Sequence, residues 1–502
     1  MDSVGATSHS LAGARILLVF HSFKEDKDTL AFVKNVRHLG VIPPMNLLWT
    51  SAWLKRHGAQ TMILDCSALN IGLEQALERA AHMSFDAVGF TATNLDFLFV
   101  SDWIRAFSRR FGKPVMVGGI GAENYPAEVA AHPEIAVAFT GPSEMAVAQW
   151  LEAHLNGGDT SSIPGTAVRH EGGVRVNPPA PLPDGFVRPF PDREGTDIRS
   201  YFSILAKGFP STAGMSSFGC PFGCEFCQLR RTHFIVRSAE DMIDELEHCE
   251  RELGIEEIDY FDSNFTVPRA RALEFAELYR KRGLRIRWSA RVRADLADDE
   301  LLRELRRVNC AWIGYGIESG SDDVLRAIKK TQRGTTNIMS TLRRTKAAGI
   351  GTTGFFVMGL PGETDETIRT TLEFIEAAPL DFVQISPYWP IPNTPPYERI
   401  VRETGIDVWR DAIVHGRRRT DMPLTDTRFS VRDMHATTAR LYREFYFRPS
   451  QLLNLASNAA SFGQFKRFVS AGMDVLTSAV EAQAPRAARL VGLGRSIEQR
   501  VS

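Results

Sequence analysis

Twice along the chain, short runs of β-branched and aromatic residues alternate with stretches of helically spaced apolar residues, and this pattern constrains the fold more than any other feature. The first series, residues 15–156, reads as strands at 15–20, 61–65, 86–93, 114–119 and 135–141, with helices over 44–57 and 95–111 among the connections. Strands that alternate with helices predict a doubly wound α/β domain with a parallel sheet, whose ligand lies beyond the carboxyl ends of the strands. The second series, 206–397, adds a first strand near 211 to strands at 256–263, 286–291, 311–319, 352–359 and 382–388. Helices are expected over 239–253, 269–282, 299–308, 337–348 and 365–377. Six βα repeats predict a partial TIM-type (β/α)6 barrel with its chemistry at the strand C-terminal ends.

Around these series lie a flexible N-terminus (1–14), a Pro/Gly-rich linker (157–205) and a helical C-terminal region (398–502) with helices over 431–447 and 462–482. Within the linker, two β-like runs around Gly172 and Gly173 predict a hairpin. At 502 residues the chain has length for roughly three units of about 150 residues. Its 59 Lys and Arg against 60 Asp and Glu leave a net charge of −1, so there is no global basic field to hold a nucleic acid. The run Arg417, Arg418, Arg419 reads as a solvated face or a carboxylate contact. No stretch reaches the roughly 20 apolar residues of a membrane span, and Met1 to Ala14 lacks the order of a secretory signal. A cytoplasmic location is expected.

The six cysteines are too few for a disulfide framework, and they are unevenly placed. Cys66, Cys249 and Cys310 stand alone, whereas Cys220, Cys224 and Cys227 share the segment CPFGCEFC. The C-x3-C-x2-C spacing lets one loop wrap three thiolates round a metal centre, with Gly223 easing the turn. A structural zinc site wants four closed ligands, and His233 is the only downstream candidate for a fourth. A [4Fe–4S] cluster held by three thiolates instead keeps one iron open. The spacing, with the aromatic Phe226 before the last cysteine, resembles the radical S-adenosylmethionine (SAM) superfamily, which implies that Cys220, Cys224 and Cys227 ligate a [4Fe–4S] cluster whose free iron binds SAM. A three-cysteine zinc loop is the alternative.

Polar groups recur at the predicted strand ends: Asp262, Ser263 and Asn264, then Arg291, then Glu318, Ser319 and Gly320, then Gly359 to Thr364, then Gln384. They converge on the barrel mouth, where Arg291 can pair with the SAM carboxylate and Glu318 can accept from its ribose or ammonium. Phe226, Ser263, Arg291, Glu318 and Gln384 are the expected SAM contacts. For Ser263 and Gln384, a helix cap or loop contact is an equal reading. Tyr388, Trp389 and Pro390 offer an apolar wall.

The order of an α/β domain, an IPG-containing connector, the cysteine loop and then DSNFT, GIESGS and GLPGET resembles the cobalamin-dependent radical SAM enzymes over roughly residues 15–400. That family includes the anaerobic magnesium-protoporphyrin monomethyl ester cyclases and the class B radical SAM methyltransferases. The resemblance implies a Rossmann-like cobalamin-binding first domain, with Thr91, Thr93, Gly118, Gly119 and Gly141 lining the cavity for the cofactor's nucleotide tail. One departure stands out. The D-x-H-x-x-G signature of cobalt ligation is missing, since Asp65, Cys66, Ser67, Ala68, Leu69 and Asn70 follow the second strand, which implies a site without a histidine ligand. Cys66 itself reads better as a small core residue than as a neighbour of the corrin.

By the same resemblance, the chain uses a [4Fe–4S] cluster, SAM and cobalamin, generates a 5′-deoxyadenosyl radical and methylates an unactivated carbon of a small-molecule substrate. Its electrons come from a reducing partner such as flavodoxin or ferredoxin. Oxidative cyclisation or another ring-forming reaction, in tetrapyrrole or specialised metabolism, is the alternative within enzymes. A non-catalytic sensor with a structural cluster is the alternative outside them. Methylthiotransfer needs a second cluster, and Cys66 is the only cysteine before Cys220.

Overall fold

The computed structural model describes residues 10–25, 39–181, 186–330, 333–416, 424, 427–459 and 463–473. The first nine residues, the run Arg417 to Arg419 and the end of the last predicted helix lie outside them.

Both predicted sheets form. In the first, the parallel strands β1 (Arg15–Phe20), β2 (Gln60–Asp65), β3 (Ala87–Thr91), β4 (Val115–Gly118) and β5 (Ile135–Phe139) lie in the order β2-β1-β3-β4-β5. All five residues of β3 are buried, as a central strand covered on both faces requires. The order reverses between β1 and β3, so the crevice at their C-terminal ends is the binding position of the sheet. The predicted hairpin, β6 (Thr166–His170) and β7 (Gly173–Val176), extends this sheet antiparallel beyond β5.

The second sheet runs in sequence order through β8 (Ser211–Gly214), β9 (Glu257–Tyr260), β10 (Arg287–Val292), β11 (Cys310–Glu318), β12 (Gly351–Met358) and β13 (Phe382–Pro387). Every pairing is parallel, which makes the predicted half-barrel. Ile258, Tyr260, Trp288 and Ala290 point outward into the core shared with the helices Ala239–Arg251 and Arg269–Arg282. Alternate residues such as Asp259 and Arg291 therefore face inward.

The connector is fastened to both domains. Asp192 accepts from Ser51 Oγ at 2.5 Å and pairs with Lys55 at 2.7 Å on the first domain. Arg193, 2% exposed, donates to Ala213 O of β8 at 2.7 Å and pairs with Glu245 at 2.6 Å. The C-terminal helices divide in the same way. Helices Pro395–Thr404 and Val408–His415 contribute Tyr397, Trp409 and Ile413 to a core of the first domain, and Tyr125 and Tyr397 both donate to Asp407 Oδ1. Helix Val431–Tyr446 covers the outer edge of the half-barrel. Tyr446 OH lies 3.0 Å from Val383 N and 2.8 Å from its carbonyl, and Tyr442 OH repeats this at Ile385, 2.8 and 3.1 Å. Two hydroxyls one helical turn apart thus occupy the ladder positions of a missing strand. Among the described residues, no helix is long and apolar enough to cross a membrane.

Candidate functional site

After β8, the two-residue run Ser217–Phe218 pairs antiparallel with Ile235–Val236 and closes the base of the cysteine loop. Asp262, beyond the end of β9, anchors it by accepting from Ser216 N at 2.6 Å, Ser217 N at 3.0 Å and Ser216 Oγ at 2.5 Å. Ser263 Oγ donates to Gly219 O at 2.6 Å. Gly219, φ 78°, cannot be replaced, because a Cβ there would stand 2.0 Å from His233 O. His233 is therefore part of the loop's backbone closure. Inside the loop, Cys227 N donates to Cys224 O at 3.2 Å, Arg231 N to Phe222 O at 2.8 Å and Cys220 N to Thr232 Oγ1 at 3.0 Å.

The three thiols sit half-buried on this turn. Burial pushes the Cys227 thiol up, and the nearness of Cys220, Cys224 and Glu318 adds to it. Three soft thiol donors on one short loop suit an iron–sulfur centre, whose several irons each take one thiolate. Among the described residues, no group of three or more His, Cys, Asp or Glu is gathered tightly enough to hold a single ion.

Of the expected SAM contacts, Ser263 joins the loop at Gly219 and Phe226 meets Glu318 through Lys330, whereas Arg291 and Gln384 are placed by their strands, β10 and β13. Glu318 Oε1 receives Lys330 Nζ at 2.5 Å, and that ammonium lies 5.9 Å from the centre of the half-buried Phe226 ring. Arg291 donates to Asp259 through both Nη atoms, at 2.6 and 3.0 Å, and its guanidinium stacks 3.7 Å from the Phe261 ring centroid. The internal salt bridge sets a condition on the SAM-carboxylate role, since a bound carboxylate has to share the fork with Asp259. Gln384 is exposed, opposite the buried Val383 and Ile385. The GLPGET segment serves its own turn: Thr364 caps helix Asp365–Ala377, and Glu363 accepts from Gly359 N. Burial pushes Glu363 up to about 7.

Sequence reasoning missed Arg293. Its guanidinium lies 4.1 Å from the Phe222 ring centroid and 3.9 Å from Cys224 Sγ, and Asp295 holds it at 3.0 and 3.1 Å. Lys330 was missed as well. Neither position carries a signal without the fold, because each acts across a strand or loop far from it in sequence.

At the first domain's crevice, the five expected contacts differ. A Cβ added to Gly118 or Gly141 would meet nothing within 4 Å, so both leave open space for a ligand. Gly119, φ 95°, has another purpose, since its Cβ would come 2.6 Å from Ala92 O and 2.8 Å from Thr91 Oγ1. It lets two strand ends approach. Thr93 donates N–H and hydroxyl to Asp96 Oδ1 at the start of helix Phe97–Phe111, while Thr91 Oγ1 accepts from Asn46 Nδ2 at 2.5 Å. Cys66 is a fully buried core thiol, pushed up to about 12 by burial.

No histidine follows β2, but His21 follows β1, fully buried, with neither ring nitrogen hydrogen-bonded. Burial lowers it to about 4 despite the Asp96 carboxylate 3.5 Å away. Asn94 Oδ1, three residues beyond β3, is likewise buried and unpartnered. Open glycine positions and orphaned polar atoms at a switch point fit a large polar cofactor.

The two sites are joined. On helix Met45–Arg56, Asn46 reaches Thr91, and one turn later Trp49 packs edge-on against Phe218, ring centroids 5.5 Å apart, two residues before Cys220. The Arg188 guanidinium of the connector lies over the Phe218 ring, 3.9 Å from its centroid.

Comparison with known families agrees with this construction. The Radical SAM superfamily model matches residues 215–375 and the B12 binding domain model residues 35–151. Together they define the class: the chain is a cobalamin-dependent radical SAM enzyme, whose cofactors are a [4Fe–4S] cluster, SAM and cobalamin. Within that class it is similar to an uncharacterized methyltransferase of Pyrococcus horikoshii, 26% identical over 421 residues, covering 82% of this chain and 89% of that one. It is also similar to the anaerobic magnesium-protoporphyrin IX monomethyl ester cyclase of Rubrivivax gelatinosus, 24% identical over 362 residues, 70% of this chain and 65% of that one. Its fold matches that of the radical SAM methyltransferase TsrM from Kitasatospora setae, solved with cobalamin and a [4Fe–4S] cluster: TM-score 0.64, 21% identity, covering 90% and 91% of the two chains.

Proposed function

We propose that this enzyme transfers a methyl group to an unactivated carbon of a small-molecule substrate. The observation that carries the reading is the bridge from Thr91 through Asn46 and Trp49 to Phe218, which ties the first domain's crevice to the cysteine loop through one rigid helix. A transfer that needs two cofactors in sequence gains from such fixed relative placement. The methyltransferase relatives support the choice of reaction.

In this reading Cys220, Cys224 and Cys227 hold the cluster, and Phe226, Ser263, Arg291, Glu318 and Gln384 surround SAM. Gly118 and Gly141 admit cobalamin, with Thr91, Thr93 and Gly119 shaping the cavity wall. When bound, cluster and SAM supply a hydrogen-abstracting radical, and cobalamin supplies the methyl group. The chain's own task is to place and shield. Asp259 fixes the Arg291 guanidinium, which lies over Phe261 with Trp312 and Phe355 nearby, so its orientation is set before a ligand binds. Gly314 and Gly316 keep β11 thin beneath that space. A flavodoxin or ferredoxin delivers the electron.

The cyclase relative supports a second reading, oxidative ring formation. Anaerobic turnover with methyl-labelled SAM separates the two. We expect label in a product heavier by one CH2 unit, whereas an unlabelled product that has lost hydrogens overturns methylation.

A further inference from the structure

Two residues with full side chains hold left-handed backbone where the half-barrel meets the cysteine loop: Glu318, φ 68°, and Lys329, φ 50°. A residue with a Cβ keeps that conformation only where the surroundings impose it. Here they do. β11 ends at Glu318, the short helix Asp322–Ala327 follows, and the chain then turns back through Ile328, Lys329 and Lys330.

Each residue of that turn grips something different. Ile328 O accepts from Glu225 N at 3.0 Å, and the Lys329 ammonium pairs with the Glu225 carboxylate. Lys330 Nζ meets Glu318 Oε1 at 2.5 Å and the Phe226 ring at 5.9 Å. Glu225 and Phe226 are the two residues between Cys224 and Cys227. Lys330 and Glu318 are both only 8% exposed. Gly316 makes the room, since a Cβ there would lie 2.8 Å from Glu318 Oε1 and 3.0 Å from Lys330 Nζ. A buried ion pair adds little net stability over an apolar pair of the same size, but it fixes geometry.

We propose that Lys330 is a positioning residue that holds the Glu318 carboxylate in register with the cysteine loop for SAM binding. The proposal rests on the reading of Cys220, Cys224 and Cys227 as cluster ligands and of Glu318 as a SAM contact.

The test uses the full chain, anaerobically reconstituted, as wild type, Lys330→Met, Lys330→Arg, Glu318→Gln and the Glu318→Gln/Lys330→Met double variant. Iron and sulfide content and the SAM-induced change in the cluster's electron paramagnetic resonance signal are measured against SAM concentration. We expect Lys330→Met to keep its cluster but to need at least tenfold more SAM for half of the spectral change, with Lys330→Arg recovering most of it. The double variant should match Glu318→Gln alone, because Lys330 acts through Glu318. Wild-type SAM response in Lys330→Met overturns the proposal, as does a further loss in the double variant beyond Glu318→Gln. The double variant buries no lone charge, so it reports even if Lys330→Met fails to fold. A wild type without cluster iron would instead sink the cluster reading itself.

Discussion

The two strand-end faces that meet across Trp49 and Phe218 are built on opposite principles. The half-barrel's mouth is filled with charge held in compensated pairs: Asp259 with Arg291, Asp295 with Arg293, Glu318 with Lys330. The first domain's crevice presents open glycines, orphaned polar atoms and a buried neutral histidine. A site that must grip a small zwitterion and polarise it needs paired charges aimed at a point, whereas one that must admit a bulky, mostly neutral cofactor needs room and scattered hydrogen-bonding groups.

The largest effect that can break this contrast is loss of a thiolate. Cys224→Ala should abolish both cluster iron and deoxyadenosine formation while leaving cobalamin content near wild type, read by metal analysis and absorbance. Loss of cobalamin as well would mean that the two faces are not independent. Filling the other face should do the converse: Gly118→Leu enters open space, so cobalamin content should fall at least tenfold with iron unchanged. Gly119→Ala sharpens the distinction between ligand space and protein packing. Its Cβ would strike Ala92 O, so it should cost about 2 kcal/mol or more of stability, seen as a lowered Tm in the cofactor-free protein.

The smallest effect is a divergence with pH. His21, lowered to about 4 from an ordinary 6.5, binds fewer protons folded than unfolded between those values, so acidification through that window destabilises the first domain, by about 1 kcal/mol at pH 5.5. Glu257 and Glu363 in the half-barrel are both raised to about 7 from 4.5 by burial. They bind more protons folded than unfolded in between, so their contribution to stability is lost as pH rises from 4.5 to 7. Hydrogen exchange at pH 5.5 and 7.5 should therefore show the first domain protected more at the higher pH and the turns around Glu257 and Glu363 protected more at the lower. Parallel changes in both regions would erase the contrast.

The same contrast explains what could be read from the chain. Strand and helix periodicity located every barrel strand to within a few residues, and helix Arg269–Arg282 was placed at its observed bounds, because Ala272, Phe275, Ala276 and Tyr279 recur at helical spacing on its buried face. The cysteine loop was legible because its three cysteines are neighbours in sequence. Lys330, Arg293 and His21 were not, since each takes its meaning from a partner brought by the fold. The hairpin at 166–176 was legible as a hairpin but not as the edge of the first sheet, because register with β5 leaves no local trace. Glycines at 118 and 119 look alike in sequence and differ only in what a Cβ would meet.

Tyr442 and Tyr446 finish the β13 margin of the half-barrel with side-chain hydrogen bonds, and at the other margin Arg193 occupies one carbonyl of β8. At β13 a neighbouring chain therefore finds the ladder positions of Val383 and Ile385 already taken. Self-association across the half-barrel must go through its helices or loops, and a larger substrate has to be accommodated by reshaping those, since adding a strand at β13 would first require prising the tyrosines away.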